Sequence, residues 1–273
     1  IVSAWDKVGG NVDTIHNVRS GVYAAEEEQV RYESRGKYNS DPYHKHDNYK
    51  KTNAENSKKQ DAGEAVDAYT GQALSRNTDA EQDHLISAAS IHNDPAVWLA
   101  EANGADLANH KTNLHQTHHS INESKLQKSA EEYIAWLNKN RADRDSKIAR
   151  LEEKAKNEPL SKKDQNALDK YKQQNAVDQE KLRELDEVAR KQYESSLRWG
   201  YYGSAKFGAY LLKTSAVEAG KMGLQQAIGL VLTDFVDGLL LEVHDSWHNG
   251  FCDGVDQEHV WEALKIRAGR VAK

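Results

Sequence analysis

Cysteine and proline are scarce in this chain of 273 residues, and each scarcity excludes a class of protein. The single cysteine, Cys252, cannot form an intramolecular disulfide and cannot supply a four-cysteine zinc site. Three prolines and 17 glycines are too few for a collagen-like or Pro/Gly-rich disordered chain. One cysteine fits a reducing compartment, so we expect a cytoplasmic protein.

The N-terminal residues also lack a basic start and an apolar segment, the two marks of a signal peptide. The apolar run Met222 to Val243 is near the length of a membrane span, but Asp234 and Asp237 interrupt it. We therefore expect a buried or partner-facing helix there and no membrane partner. The chain starts without Met and ends in a helix-like pattern, from which we expect a piece of a longer protein.

Four stretches differ in composition, and together they predict a mostly helical α+β protein. Residues 1–66 form a polar N-terminal arm with helices, and residues 67–137 combine turn signals, histidines and short apolar runs. Residues 138–198 are rich in charge and predict a helical hairpin broken at Pro159, with a helix start at Ser161. Residues 199–273 are apolar and predict helices after a break at 199–203, with His244 and His248 four residues apart.

The segment 29–60 has eight basic and four acidic residues, although the whole chain has a net charge of -6. Tyrosines are interleaved with these charges: Tyr32, Tyr38, Tyr43 and Tyr49. Basic residues mixed with aromatic rings suit a phosphate backbone with stacked bases. A solvated surface arm is the alternative interpretation, and both stay open.

The segment 67–125 has the residues best suited to catalysis. A short strand that enters a tight turn is predicted at Asp67–Leu74, and a second short strand at Glu81–Ile86, where Asp83 and His84 are adjacent. Neighbouring strand residues point to opposite faces, so these two side chains should have different roles. If a helix begins near residue 117, His118, Asn122 and Lys125 share one face.

Such a set suits metal-assisted cleavage of a phosphodiester bond. Carboxylate and amide oxygens favour a hard cation, which makes Mg²⁺ or Mn²⁺ the first choice. The histidine-rich run also admits Zn²⁺ or Ni²⁺. A neutral imidazole can accept a proton from the attacking water near neutral pH.

This segment resembles the HNH, or ββα-metal, endonucleases, and especially the HNH domains of CRISPR effector nucleases and their relatives. The resemblance depends on Tyr69-Thr70-Gly71, on Asp83-His84-Leu85-Ile86, and on Asn113-Leu114 followed by Asn122-Glu123-Ser124-Lys125. A short helix at Ser129–Ile134 also fits the family. The resemblance covers about 70 of the 273 residues.

The resemblance implies a role for each of six residues. It makes His84 the general base, Asp83 and Asn122 metal ligands, and Asn113 a residue that steadies the loop or the histidine. It adds His118 as a third metal ligand and Lys125 as a phosphate contact. It also implies DNA as substrate in preference to RNA, and a role in phage defence or in a mobile element.

Three departures from the family pattern are visible. Ser87 stands near where the family has a proline, zinc-binding Cys-x-x-Cys pairs are missing, and residues 67–125 have eight acidic against three basic residues. Such a negative segment needs a metal and a neighbouring basic surface, for which 29–60 is the candidate. A helical scaffold with an inactive HNH-like segment and a non-specific nuclease toxin remain as alternatives. A homo-oligomer or a protein partner bound through the helical regions is also expected.

Overall fold

The computed structural model describes residues 12–217, together with 233, 235–245, 247 and 269, and this part is mostly helical. The helices are α1 (Ile15–Arg19), α2 (Glu26–Glu33), α3 (Asp41–His44), α4 (Asp47–Ala62), α5 (Ala88–His92), α6 (Pro95–Leu99), α7 (Gly104–Ala108), α8 (His119–Lys125), α9 (Ala130–Lys139), α10 (Arg141–Asn157), α11 (Lys162–Asn175), α12 (Gln179–Tyr202) and α13 (Ala205–Val217). The strands are β1 (Ala80–His84) and β2 (Leu114–His118). The α+β class expected from the sequence is confirmed at this level.

The two strands form one antiparallel sheet, in which Ala80 pairs with His118 and His84 pairs with Leu114. Helix α8 follows β2 without a loop, because the imidazole of His118 accepts a hydrogen bond from Ser120 N and caps the helix. The chain therefore runs strand, connection, strand, helix.

The strand predicted at Asp67–Leu74 was wrong, but the tight turn predicted with it is present. The backbone there makes one isolated bridge, Val66 with Ala73, around a tight turn. The carboxylate of Asp67 accepts hydrogen bonds from Tyr69 N and Thr70 N, and such a side-chain turn competes with an extended strand. Glu81–Ile86 was close to β1, which ends two residues earlier.

The chain divides into two compact units, and all the predicted site residues belong to the unit formed by 36–97 and 102–196. Its core contains fully buried side chains from several helices, from the turn before β1 and from the loop after β1: Tyr69, Leu85, Ile91, Ile121, Tyr133 and Leu182. The short helices are fixed by caps at their first turns. Ser87 caps α5 and Asp94 accepts from Ala96 N at the start of α6, as the Asn93-Asp94-Pro95 sequence indicates.

The charged segment 138–198 contains three helices. Helix α10 ends before Pro159, and Ser161 caps α11 through Asp164 N, as predicted. A second break at 176–178 was not predicted. It arises because the Asp178 carboxylate accepts from Glu180 N and Lys181 N and starts α12.

The other unit contains residues 1–35, 98–101 and 197–273, of which the described part is held by polar contacts at buried positions. The Asp13 carboxylate accepts from Ala24 N and Ala25 N, and the Tyr201 hydroxyl donates to the Asp13 carbonyl at 2.6 Å. Lys206 pairs with the buried Glu28 at 2.8 Å. These contacts connect distant parts of the sequence within this unit.

The helix break predicted at 199–203 comes later than expected, because α12 continues to Tyr202 and the chain turns at Gly203. The expected histidine pair lies partly outside the described residues, since His248 is not among them. The same holds for much of the predicted helix from Met222 to Val243, of which 235–243 has helical backbone. Among the described residues, no helix combines the length and apolar character needed to cross a bilayer.

Candidate functional site

A cavity of about 550 Å³ lies between the β1–α8 region and helices α3 and α4. Asp83, His84 and Asn122 line it together, so the fold brings three of the six predicted site residues to one place. Glu81 lines the same wall. Aromatic residues of the N-terminal arm line the cavity beside them: Tyr38, His44 and Tyr49.

The imidazole of His84 is held in one orientation by Asn109. The two groups are 2.9 Å apart, from His84 Nε2 to Asn109 Oδ1. The amide nitrogen of Asn109 donates to the carbonyls of Tyr43 and Ala105, so its oxygen must face the imidazole as an acceptor. The proton of neutral His84 therefore sits on Nε2, and Nδ1 has a free lone pair with no hydrogen-bond partner among the described residues.

Burial lowers the pKa of His84 below its ordinary value, with only partial opposition from the hydrogen bond to Asn109. The side chain is 7% exposed, so removing water from its charged form is costly. His84 is consequently neutral at pH 7. A buried, neutral imidazole with an unoccupied nitrogen can accept a proton.

Asp83 faces a different set of partners, as the alternation along a strand requires. Its Oδ2 accepts from the Tyr69 hydroxyl at 2.6 Å and lies 3.0 Å from Lys125 Nζ, while Oδ1 lies 3.2 Å from the same ammonium. Lys125 also donates to the His84 carbonyl at 3.0 Å. Tyr69 of the Tyr-Thr-Gly sequence therefore has a structural role, because its hydroxyl holds the Asp83 carboxylate.

The predicted phosphate contact of Lys125 does not agree with its position. Lys125 is 0% exposed, and its ammonium is already paired with Asp83 and a backbone carbonyl. The i, i+7 spacing places Lys125 on the site side of α8, but its long side chain turns inward to the buried carboxylate. An ion pair in the interior replaces the expected contact with substrate.

Asn122 is oriented by Glu81, a residue for which the sequence predicted no role. The Asn122 amide nitrogen donates to Glu81 Oε2 at 2.7 Å, and the other oxygen of Glu81 lies 2.7 Å from His119 Nδ1. This hydrogen bond raises the pKa of His119. Since its nitrogen is engaged, the amide oxygen of Asn122 is left as an acceptor without a partner among the described residues.

Two of the predicted metal ligands, Asp83 and Asn122, line the cavity and have oxygen atoms that can accept contacts. A carboxylate has about four lone-pair directions, so Asp83 keeps one beyond its three contacts with Tyr69 and Lys125. The free oxygen of Asn122 adds a second donor, and Mg²⁺ typically takes one or two carboxylates and keeps its waters. The described residues contain no cluster of three His, Cys, Asp or Glu side chains that could hold a metal.

His118 and Asn113 lie away from this cavity. His118 caps α8, and its Nε2 lies 3.1 Å from Asp169 Oδ2 on α11, so the predicted third ligand is directed to another helix. Asn113 accepts from Ile86 N at 2.7 Å and donates to the carbonyls of Ile86 and Ala108. These are the contacts of a residue that steadies the loop after β1.

Sequence reasoning missed two residues of the site, Asn109 and Glu81, and did not place His44 and Tyr49 at the cavity. No local pattern marks Asn109, which reaches His84 across 25 positions. Glu81 shares a strand face with Asp83 two residues on, a period that could have indicated it. The aromatic residues of the arm were noticed, but their position at the cavity depends on the tertiary fold.

No family model, curated protein or solved structure matches this chain.

Proposed function

We propose that this chain is a metal-dependent endonuclease that hydrolyses phosphodiester bonds in DNA. The observation that carries the proposal is His84, a buried neutral imidazole that lines the cavity, whose Nε2 is tied to Asn109 and whose Nδ1 has no hydrogen-bond partner among the described residues. Asp83 and Asn122 line the same cavity and supply oxygen donors. The order β1, β2, α8 agrees with the resemblance to the HNH endonucleases.

In this proposal, different residues of the chain have different roles in hydrolysis. His84 Nδ1 accepts a proton from a water molecule as its oxygen attacks phosphorus. The bond from phosphorus to the leaving oxygen then breaks, and that oxygen takes a proton from solvent. Asp83 and Asn122 would hold the divalent cation, which when bound offsets negative charge on the phosphate and on the leaving oxygen.

The supporting residues keep these groups in place. Asn109 fixes the tautomer of His84, and Asn113 holds the loop after β1. Glu81 accepts from the amide nitrogen of Asn122, which leaves the amide oxygen of Asn122 available. Such neighbours commonly set the orientation of ligands and bases in catalytic sites. The site needs this support because it has no zinc-binding cysteines.

A nicking assay on a supercoiled plasmid and on a single-stranded DNA circle, each with Mg²⁺, Mn²⁺ or Zn²⁺, tests the proposal. We expect cutting with Mg²⁺ or Mn²⁺, no cutting in EDTA, and none by a folded His84→Ala variant. His110→Ala is the matched control, because His110 lines a different cavity. Cutting that persists in His84→Ala would exclude His84 as the base.

One observation favours the alternative of an inactive scaffold. The ion pair with Lys125 offsets the charge of Asp83, which reduces its value as a metal ligand. This alternative predicts no cutting with any metal. Degradation of any DNA regardless of sequence, with toxicity in cells, would instead favour a non-specific nuclease toxin.

A further inference from the structure

We propose that the aromatic wall of the cavity, formed by Tyr38, His44 and Tyr49, stacks an unpaired base of the substrate, so that the enzyme cuts single-stranded DNA. This inference rests on the proposed endonuclease function and specifies its substrate. It concerns residues of the N-terminal arm, which the proposed chemistry does not use.

The rings beside the candidate base form a nearly parallel group. The ring of His44 lies 8° from the plane of His84 and 24° from that of Tyr49, with centroids 5.8 Å and 4.9 Å away. Tyr49 lies 5.4 Å from His84 at 20°. Flat rings in one orientation accept a nucleobase, because every base has a π face that stacks on an aromatic ring.

His44 is the outer ring of this group. It is exposed, whereas Tyr49 is half-buried and His84 is buried. The Tyr49 hydroxyl reaches the Gln82 carbonyl at 3.4 Å, which attaches α4 to β1 and holds the ring in position. An incoming base therefore meets His44 first, next to the imidazole that would activate water.

The charges around the cavity differ between β1 and α4. Glu81 and Asp83 place carboxylates on the β1 side, where Lys125 offsets the charge of Asp83. Helix α4 exposes lysines that have no ion pair within the described part of the chain: Lys50, Lys51, Lys58 and Lys59. None of these lysines lines the cavity, so they attract the phosphates of a bound strand outside it, along the exposed surface of α4.

A paired base cannot make this contact, since its faces are covered by its neighbours in the duplex. A base must leave the stack, or belong to a single strand, before it can lie on a protein ring. The cavity volume of about 550 Å³ is within the range of sites that enclose small molecules, about 300–1,000 Å³. The bases of a single-stranded substrate are already unpaired, so one of them can enter this cavity without the cost of extruding it from a duplex.

A binding experiment in EDTA separates this inference from catalysis. Single-stranded oligonucleotides with one 2-aminopurine report stacking by quenching of its fluorescence, and fluorescence anisotropy gives the affinity. We expect quenching with the wild-type chain, loss of quenching and about tenfold weaker binding in His44→Ala, and recovery of both in His44→Phe. Tyr171→Ala is the control, because Tyr171 is an aromatic residue of α11 that does not line the cavity.

Each other outcome overturns the inference. Equal quenching in wild type and His44→Ala would show that stacking occurs elsewhere, and absence of quenching would show that no base stacks. Tighter binding to a fully paired duplex than to the single strand would exclude the substrate class. The nicking assay reports on the endonuclease function independently, since these measurements need no hydrolysis.

Discussion

Asn109 Oδ1 lies 2.9 Å from His84 Nε2, and the amide nitrogen of Asn109 is itself fixed by two backbone carbonyls. This pair determines which nitrogen of His84 can act as a base. The contact is buried, so water does not compete for either group.

Replacing Asn109 with alanine should release the tautomer of His84. We expect a mixture of Nδ1-H and Nε2-H forms, and a kcat lower by about 10²-fold, since general base catalysis contributes about 10²–10⁴-fold. Nitrogen-15 NMR of the histidine rings in EDTA measures the tautomer, and the nicking assay measures the rate. Asn157→Ala, at an exposed end of α10, should change neither. A single Nε2-H form in Asn109→Ala would contradict the assignment.

Lys125→Met should strongly destabilise the fold, because it leaves the Asp83 carboxylate buried without its cation. Loss of one partner of a buried ion pair costs about 3–5 kcal/mol. Urea unfolding measures the free energy, and the double variant Asp83→Asn/Lys125→Met should recover part of the loss. Lys156→Met breaks an exposed ion pair and should have little effect. Equal stability of the single and double variants would show that the two side chains are not coupled.

Glu81→Ala should weaken binding of Mn²⁺, because it removes the group that orients the Asn122 amide. Loss of such an outer partner typically costs about 10–100-fold in metal affinity. Electron paramagnetic resonance of Mn²⁺ gives the free ion concentration without any measurement of cutting. Glu123→Ala serves as the control, because Glu123 lies next to Asn122 on α8 and pairs with Lys170. An unchanged affinity in Glu81→Ala would remove Glu81 from the site.

Stability should fall as pH decreases from 8 to 5.5. Burial lowers the pKa of His84 and of His115, so the unfolded chain binds more protons than the folded chain once pH falls below about 6.5. The contribution of these two residues is thus present above that pH and lost below it. Urea unfolding in EDTA across this range measures the slope.

Two histidine variants check the sign of this dependence. His115→Gln should flatten the slope, because it removes one of the groups whose pKa is lowered. His119→Gln should steepen it, because the pKa of His119 is raised by Glu81 and favours the folded state at low pH. The effect of His119 should be the smaller one, since its side chain is 42% exposed. Opposite changes would contradict the assigned shifts.

Local features of the fold could be predicted from the sequence because neighbouring residues determine them. Ser161 caps α11 through Asp164 N, and Ser129 with Glu132 forms a capping box at the start of α9. These contacts span three residues and need no distant partner. The second break, at Asp178, depends on an equally local cap and was missed because apolar spacing continued across it.

The side-chain partners in the candidate site could not be predicted from neighbouring residues alone. The sequence by itself determined that Asp83 and His84 lie side by side on a strand with different surroundings, and that Asn122 is one turn after the start of a helix. The tertiary structure decided the partners: Asn109 for His84, Tyr69 and Lys125 for Asp83, and Glu81 for Asn122. It also placed the ammonium of Lys125 in the interior. A buried carboxylate needs a cation beside it, and the spacing of residues along a helix does not show that need.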